Sequence, residues 1–275
     1  MTLFAAPETL AEALAGLEAG GVAVAGGTDL VVAARSGRRS LPQALVSLHR
    51  LAELRGIARA DGELVLGALA THAELERSEA VREGWAALSD AAALVGSPAT
   101  RHVGTVGGNL ANASPAMELG SPLLVHGARI ETSGGRSLAV SDFLRGPGET
   151  VLEPGELIVR VRAPNAGASA YVRLEYRRAM EIAVVGAAAW LVLDGDRVVD
   201  ARIALTAVAP TCVRATAAEE AVRGATPTAF APAAELAAVA AAPISDLRAS
   251  ERYRRAQVPV VVRRALERAL ERARK

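Results

Sequence analysis

The sequence predicts an α+β protein of two domains, and three observations carry that prediction. Short apolar runs alternate with helical patterns from the start to about residue 166. Pro164-Asn165-Ala166-Gly167 then reads as a linker. Beyond it three strand-like runs come first and helical segments follow, as expected of an antiparallel sheet backed by helices. A chain of 275 residues can bury a substantial core in two domains. The expected boundaries are 1–166, with subdomains at about 1–55 and 56–166, followed by 167–275.

Each element has a local cause. Glu8 to Ala19 carries Leu10, Leu14 and Leu17 at helical spacing, and Gly20-Gly21 supplies the stop. Val22–Ala25 reads as a strand, Asp29–Arg35 as a short helix or turn, and Ala44–Leu48 as a second strand. Gly56–Ala60 and Glu63–Ala68 flank Asp61-Gly62, a strong hairpin signal. Thr71 and Glu74 have the spacing of a capping box. A longer helical pattern covers about Ala80 to Val95 and ends at Gly96-Ser97-Pro98. Another helix is expected over roughly Ala116–His126, then a hairpin of Ala128–Thr132 and Ser137–Val140 around Gly134-Gly135. In the second domain the strands are Tyr171–Tyr176, Ala187–Leu193 and Arg197–Leu205, with Asp194-Gly195-Asp196 turning the second pair. The arginine-dense stretch Arg248–Arg274 interleaves acids with Val260, Val261, Val262, Leu266 and Leu270, so it reads as an amphipathic helix.

Composition removes several classes. Lys and Arg number 31 against 30 Asp and Glu, so no charge excess points to nucleic acid or an anionic membrane. Hydrophobic residues make up 51% of the chain but aromatics only 3%, leaving Ala, Val and Leu to fill the core. Met1-Thr2-Leu3-Phe4 opens no secretory signal pattern, and no stretch approaches the roughly 20 apolar residues of a membrane span. Cys212 is the sole cysteine, which excludes an intrachain disulfide, fits a reducing cytoplasm, and cannot ligate an iron–sulfur cluster. His49, His72, His102 and His126 show no metal-ligand spacing; His102, just before a glycine pair, is the one placed to line a bound group.

Two glycine-rich turns carry the functional signal, Ala25-Gly26-Gly27-Thr28-Asp29-Leu30 and Thr105-Val106-Gly107-Gly108-Asn109-Leu110. Glycine pairs admit φ > 0 and close backbone approach, and successive N–H groups in such turns form a nest for an anion such as a diphosphate. On residue chemistry alone the first turn reads equally as a strand-to-helix turn with Asp29 as N-cap. Glu118, alone, reads as a solvated acid in the first turn of a helix. No G-x-x-x-x-G-K-[ST] sequence is present, and no G-x-G-x-x-G follows the first strand, which argues against P-loop and Rossmann sites.

Together these residues resemble the FAD-binding subunit of the molybdenum hydroxylases, the xanthine dehydrogenase group. The resemblance extends through Pro154-Gly155-Glu156-Leu157-Ile158, Arg177-Arg178-Ala179-Met180-Glu181-Ile182-Ala183 and Ser250-Glu251-Arg252-Tyr253-Arg254-Arg255, so it covers essentially the whole chain. It implies a two-subdomain FAD-binding domain of the PCMH (vanillyl-alcohol-oxidase-like) type, then a CO-dehydrogenase-flavoprotein-like C-terminal domain. It implies FAD held non-covalently by Val24, Ala25, Gly26, Gly27, Thr28, Asp29, Leu30, Thr105, Val106, Gly107, Gly108, Asn109, Ser114, Glu118, Ile158 and Arg173. Core packing explains Ile158 equally well, and a surface ion pair would explain Arg173. Glu118 departs from the Asp usual in the family.

The resemblance further implies a relay: electrons from a molybdopterin large subunit pass through [2Fe–2S] clusters in a small subunit to FAD, then to NAD⁺ or another acceptor. CO dehydrogenase flavin subunits tend to show Gln-Ser or His-Ser after the first glycine pair and an Ala-His-x-Asp-Pro second motif. Thr28-Asp29 and Ala111-Asn112-Ala113-Ser114-Pro115 look more like the xanthine- or aldehyde-oxidising members. Two rivals are a self-contained FAD reductase of the same fold and a non-catalytic nucleotide-binding assembly module.

Overall fold

The computed structural model describes residues 2–177 and 179–275; Met1 and Arg178, two positions quoted above, lie outside the described residues. The first unit contains Leu3–Ala5 (β1), Leu10–Glu18 (α1), Val22–Val24 (β2), Leu30–Arg35 (α2) and Ala44–Ser47 (β3). β3 lies between β1 and β2 and is parallel to both. A capping box of Thr9 and Glu12 starts α1 at Leu10, two residues after the expected Glu8. Ala13 and Leu17 of α1 pack with Val46 of β3. The contact is close at Gly16 of α1, where a Cβ would stand 3.1 Å from Val46 Cγ2.

The second unit is an antiparallel sheet. Its strands are Ile57–Ala60 (β4), Glu63–Gly67 (β5), Arg129–Thr132 (β6), Ser137–Ala139 (β7) and, after a small hairpin of Leu144–Gly146 (β8) and Glu149–Thr150 (β9), Ile158–Ala163 (β10). Their order is β4-β5-β10-β6-β7. Asp61 and Gly62 both have positive φ, 54° and 81°, the geometry of a tight hairpin turn. The helices are His72–Arg77 (α3), Glu79–Gly84 (α4), Ala86–Leu94 (α5), Pro98–Val103 (α6), Val106–Asn112 (α7), Gly120–Val125 (α8) and Val140–Phe143 (α9). The expected Thr71–Glu74 capping box starts α3.

Two helices differ from expectation. The pattern over Ala80–Val95 is interrupted at Trp85, whose backbone leaves the helical region. Its indole is fully buried and donates from Nε1 to the Ala163 carbonyl of β10 at 2.9 Å. The break thus accompanies a buried donor finding its partner on the sheet. The helix expected from Ala116 starts only at Gly120, because a turn closed by Met117 N–H on the Ser114 carbonyl occupies the preceding residues.

The third unit has Ala168–Leu174 (β11), Val185–Asp194 (β12), Arg197–Thr206 (β13) and Val213–Arg214 (β14) in that order, all antiparallel. Three strands were expected; β14 is a two-residue edge strand, too short to leave a periodic signal. Thr216–Val222 (α10), Phe230–Ala237 (α11) and Glu251–Ala273 (α12) cover the sheet. Val258, Val261, Val262, Ala265, Leu266 and Ala269 form the buried stripe of α12. Ala187 and Ala189 of β12 belong to the same core, and small side chains there let the long helix lie close to the strand.

The linker is held tightly at both flanks. His126 Nδ1 lies 2.5 Å from the Asn165 carbonyl, and Nε2 lies 3.1 Å from Ser169 Oγ. The Asn165 amide donates back to the His126 carbonyl. Asp90 of α5 pairs with Arg268 and Arg272 of α12 and accepts from the Tyr171 N–H. Carbonyl and hydroxyl partners suit a neutral His126 that donates from Nδ1 and accepts at Nε2. Burial, offset in part by the Asn165 carbonyl, lowers its pKa to about 4, and burial lowers His72 to about 4 as well. The unfolded chain takes up protons on both rings near the ordinary value of 6.5, whereas the native fold excludes them. The stability they contribute is therefore complete above about 6.5 and lost as pH falls toward about 4, by up to about 1.4 kcal/mol per pH unit per histidine. Urea unfolding at about pH 7 and about pH 5 should show this loss, and His126→Gln should reduce the pH slope.

Candidate functional site

The first glycine turn meets, backbone to backbone, the Val103–Gly104 segment that leads into the second. A Cβ placed on Gly26 would fall 1.8 Å from the Val103 carbonyl oxygen and 3.0 Å from the Gly104 nitrogen. Only glycine permits that approach. Gly27 has φ of +67°, which turns the chain from β2 into α2. Among the described residues, the N–H groups of Gly26, Gly27 and Thr28 donate no hydrogen bond within the protein. Three adjacent donors are thus left for a group from outside. Asp29 does not cap α2: its backbone is already helical, not extended as a cap requires, and its side chain accepts no cap bond. Val24 and Ala25 lead into the turn and Leu30 opens α2.

The second turn is built differently from the expected nest. Thr105 is the N-cap of α7, accepting from the Gly108 N–H at 3.0 Å. Val106 N–H donates to the Ala70 carbonyl and Gly107 N–H to the Ala68 carbonyl. These amides are therefore spent inside the fold. Gly107 serves close packing instead, since its Cβ would lie 2.9 Å from both Ala68 Cβ and Ala68 O. Asn109 supplies the outward-looking chemistry. Its Oδ1 is buried and has no hydrogen-bond partner. A buried acceptor without a partner costs about 1–3 kcal/mol, which a donor from a bound group would relieve.

Residues 70–72 hold the second turn in register with the first. His72 N–H donates to the Gly104 carbonyl, and Thr71 bridges Thr105. The His72 ring lies beneath Gly104, with Cδ2 3.1 Å from the Cβ position there, and its Nδ1 has no partner. Val103, Gly104 and His72 thus form the floor under Gly26, a role that residue types alone did not reveal. Gly104, three residues before the glycine pair, was the available signal.

Glu118 and Arg173 lie apart from this floor. Neither is solvated: the Arg173 side chain is 1% exposed and that of Glu118 7%. Arg173 Nη1 donates to Glu118 Oε1, and Tyr171 Oη donates to Glu118 Oε2 at 2.5 Å. Arg173 Nε also donates to Glu175 at 2.6 Å. This corrects both the solvated-acid reading of Glu118 and the surface-pair reading of Arg173, because the pair joins the first domain to β11 of the second. Burial pushes the Glu118 carboxyl up, with Arg173 and Tyr171 opposing it. Burial raises the Tyr171 phenol well above its ordinary value, which keeps it a donor. Ser114 Oγ accepts from the Ala116 N–H in the turn leading to Glu118. Ile158 is buried in the core with Val106 and Leu110.

Other candidates are satisfied internally. His102 is exposed, with Nδ1 2.8 Å from the Pro98 carbonyl, and His49 pairs with Ser47. The buried Cys212 thiol is pushed up to about 12 by burial and is unreactive. Among the described residues no group of His, Cys, Asp and Glu is placed to hold a metal ion, and no helix is long and apolar enough to cross a membrane.

Comparison with known proteins fits this geometry. Residues 1–166 match the family described as the FAD binding domain in molybdopterin dehydrogenase, and residues 170–269 match the CO dehydrogenase flavoprotein C-terminal domain. The chain is 33% identical to the carbon monoxide dehydrogenase medium chain of Afipia carboxidovorans, over 97% of this chain and 96% of that one. It is 34% identical to a putative xanthine dehydrogenase FAD-binding subunit of Escherichia coli, over 72% of this chain and 70% of the relative. Among solved structures, a chain of CO dehydrogenase from Oligotropha carboxidovorans superposes with a TM-score of 0.94 at 32% identity, covering 99% of each chain. A chain of quinoline 2-oxidoreductase from Pseudomonas putida gives 0.93 at 31%, covering 100% of this chain and 99% of that one. The chain belongs to the family of FAD-binding subunits of molybdopterin dehydrogenases. Its fold is the FAD-binding domain followed by the CO-dehydrogenase flavoprotein C-terminal domain.

The geometry ranks the glycines. Gly26→Ala should abolish flavin binding, because its Cβ meets backbone that cannot yield. Gly107→Ala should lower it strongly, and Gly27→Ala should cost about 1 kcal/mol of backbone strain. Gly108→Ala should be mildest, since its Cβ meets only Thr105 Oγ1 at 3.0 Å. Flavin absorbance per chain, with circular dichroism to monitor the fold, measures the order.

Proposed function

We propose that this chain is the electron-transfer subunit of a xanthine- or aldehyde-dehydrogenase-like molybdenum hydroxylase and holds FAD non-covalently between its two N-terminal subdomains. One observation carries the cofactor assignment: three undonated N–H groups and the orphaned Asn109 Oδ1 belong to two turns that meet at Gly26. Those groups fit a cofactor with a diphosphate and further polar atoms. Bound FAD would supply the redox chemistry that links [2Fe–2S] clusters of a small subunit, fed by a molybdopterin large subunit, to NAD⁺ or another acceptor.

The chain's own groups bind and orient. Gly26, Gly27 and Thr28 would donate backbone N–H groups to the diphosphate, and Thr28 its hydroxyl as well. The Thr105 hydroxyl, which accepts from Gly108, keeps its proton to donate outward. Asn109 would pair its buried amide oxygen with a donor on the cofactor. Val24, Ala25, Asp29, Leu30, Val106, Gly107, Gly108 and Ser114 would shape the two walls, with Ile158 behind them in the core. Glu118 fixes Arg173, so a cationic group of the second domain is held in one place relative to the first. This positioning is what we assign to the pair in the complex.

The likeness to the family supports the partner subunits; identities of 33% and 34% to CO dehydrogenase and xanthine dehydrogenase relatives do not choose between substrates. The preference for xanthine- or aldehyde-type chemistry rests on Thr28-Asp29 and Ala111–Pro115. A cytoplasmic setting is proposed from the single, buried cysteine. The purified chain should pass electrons from NADH to an artificial dye, yet oxidise no purine or aldehyde until both partner subunits are added. Full substrate oxidation by the chain alone would instead establish the self-contained reductase.

A further inference from the structure

The chain stacks an arginine on each of its two tryptophans, and the two stacks differ in one respect. The Arg59 guanidinium lies 5.2 Å from the centre of the Trp85 ring, and Glu83 pairs with it at 3.3 Å. The Arg202 guanidinium lies 5.4 Å from the centre of the Trp190 ring, yet among the described residues it forms neither an ion pair nor a hydrogen bond. Stacking uses the flat face of a guanidinium and leaves its N–H edge, whose planar fork matches a carboxylate. The first stack is complete; the second has no acceptor within the protein.

The groups around Arg202 do not supply one. Asp200 accepts from Arg223 and from the Ala201 N–H, and Glu219 accepts from Arg214 and from the Ile203 N–H. At the end of α8 the Pro122, Leu123 and Leu124 carbonyls accept from the returning chain, and the His126 carbonyl accepts from Asn165. Burial, then Arg214, lowers the Arg202 pKa from its ordinary value, with Asp200 opposing. Half-buried and still charged, this cation is short of a counter-charge.

The local geometry has room for one. Gly127 has φ of +65°, and a Cβ there would stand 2.7 Å from Arg202 Nη1 and 2.4 Å from Asn165 Nδ2. The two donor nitrogens therefore flank one point above Gly127, close enough for a single carboxylate to bridge them. Asn165 Nδ2 gives one proton to the His126 carbonyl and keeps the other. β14 pairs only with Ala204 and Leu205, so the β13 edge is open at Arg202. Trp190 is fixed in place, because its Nε1 donates to the Ala166 carbonyl at 3.2 Å.

We propose that Arg202, with Asn165 beside it, is a carboxylate-binding site at the seam of the two domains. Gly127 follows α8 of the first domain, Asn165 belongs to the linker, and Arg202 and Trp190 pair across strands of the second domain. A bound carboxylate ties these three segments together. It comes from a small free acid or from an aspartate or glutamate side chain of a partner, and the recognising chemistry is the same. None of the groups assigned to FAD takes part, so the site stands whether or not the cofactor reading does.

The test follows the two indole N–H resonances of the full chain by NMR during titration with sodium acetate, against sodium chloride at equal ionic strength. The Trp190 signal should shift and saturate in the millimolar range, while that of Trp85, whose arginine already has Glu83, stays in place. Acetate should also raise Tm more than chloride does. Arg202→Gln should abolish both responses, and Arg202→Lys, a cation without the planar fork, should weaken binding at least about tenfold. Repeating the titration in the complex with partner subunits tells the source: a response that persists identifies a small acid, and one that disappears identifies a partner's side chain. A Trp190 signal that acetate does not move in the isolated chain would overturn the proposal, since either source presents the same group. An equal response to chloride, or an unchanged response in Arg202→Gln, would overturn it too.

Discussion

The site depends on one steric constraint: Gly26 lies so close to the Val103–Gly104 backbone that no side chain can stand between them. This approach brings two subdomains of different architecture, one parallel and one antiparallel, to a common edge. From it follows the placement of the remaining groups. His72 supports Gly104 from below, Thr71 and Thr105 bridge, and Thr105 caps α7, the helix that carries Asn109. The donors of the first turn stay unspent because N–H groups at the entry of a helix have no carbonyl one turn back to donate to, while the Gly27 and Asp29 carbonyls accept from α2.

The two glycine pairs, similar in sequence, do different physical work. In the first turn glycine frees both space and backbone donors. In the second it lets α7 lie against Ala68, and the amides there are consumed by the fold. A site with donors on one wall and an orphaned acceptor on the other can recognise a cofactor that offers acceptors and donors in sequence. The second domain is tied in by a separate buried polar network, Glu118 with Tyr171 and Arg173, and by the His126–Asn165–Ser169 contacts at the linker. Removing one partner from such a network leaves the others buried and unpaired, so it behaves as a unit.

Much of this was legible in the sequence where a local rule governs the outcome. The Asp61-Gly62 hairpin, the Thr71–Glu74 cap and the amphipathic last helix follow from turn chemistry, capping and periodicity. The resemblance of the paired turns to the FAD-binding subunits agreed with the family and fold found by comparison. What escaped was set by contacts distant in sequence. Nothing local says that Gly107 N–H will meet Ala68, or that Trp85 will break a helix to reach Ala163. Glu118 looked solvated because its partners Tyr171 and Arg173 are more than fifty residues away. Strands as short as β1 and β14 carry no periodic signal at all.

The central claim is that two turns meeting at Gly26 grip a diphosphate-linked flavin. Titration of the flavin-free chain with FAD and with FMN, followed by flavin fluorescence, tests it most directly. FAD should bind one per chain, and FMN, which lacks the diphosphate and the adenosine half, at least about a hundredfold more weakly. Equal affinity for the two flavins, or no binding of FAD, would contradict it.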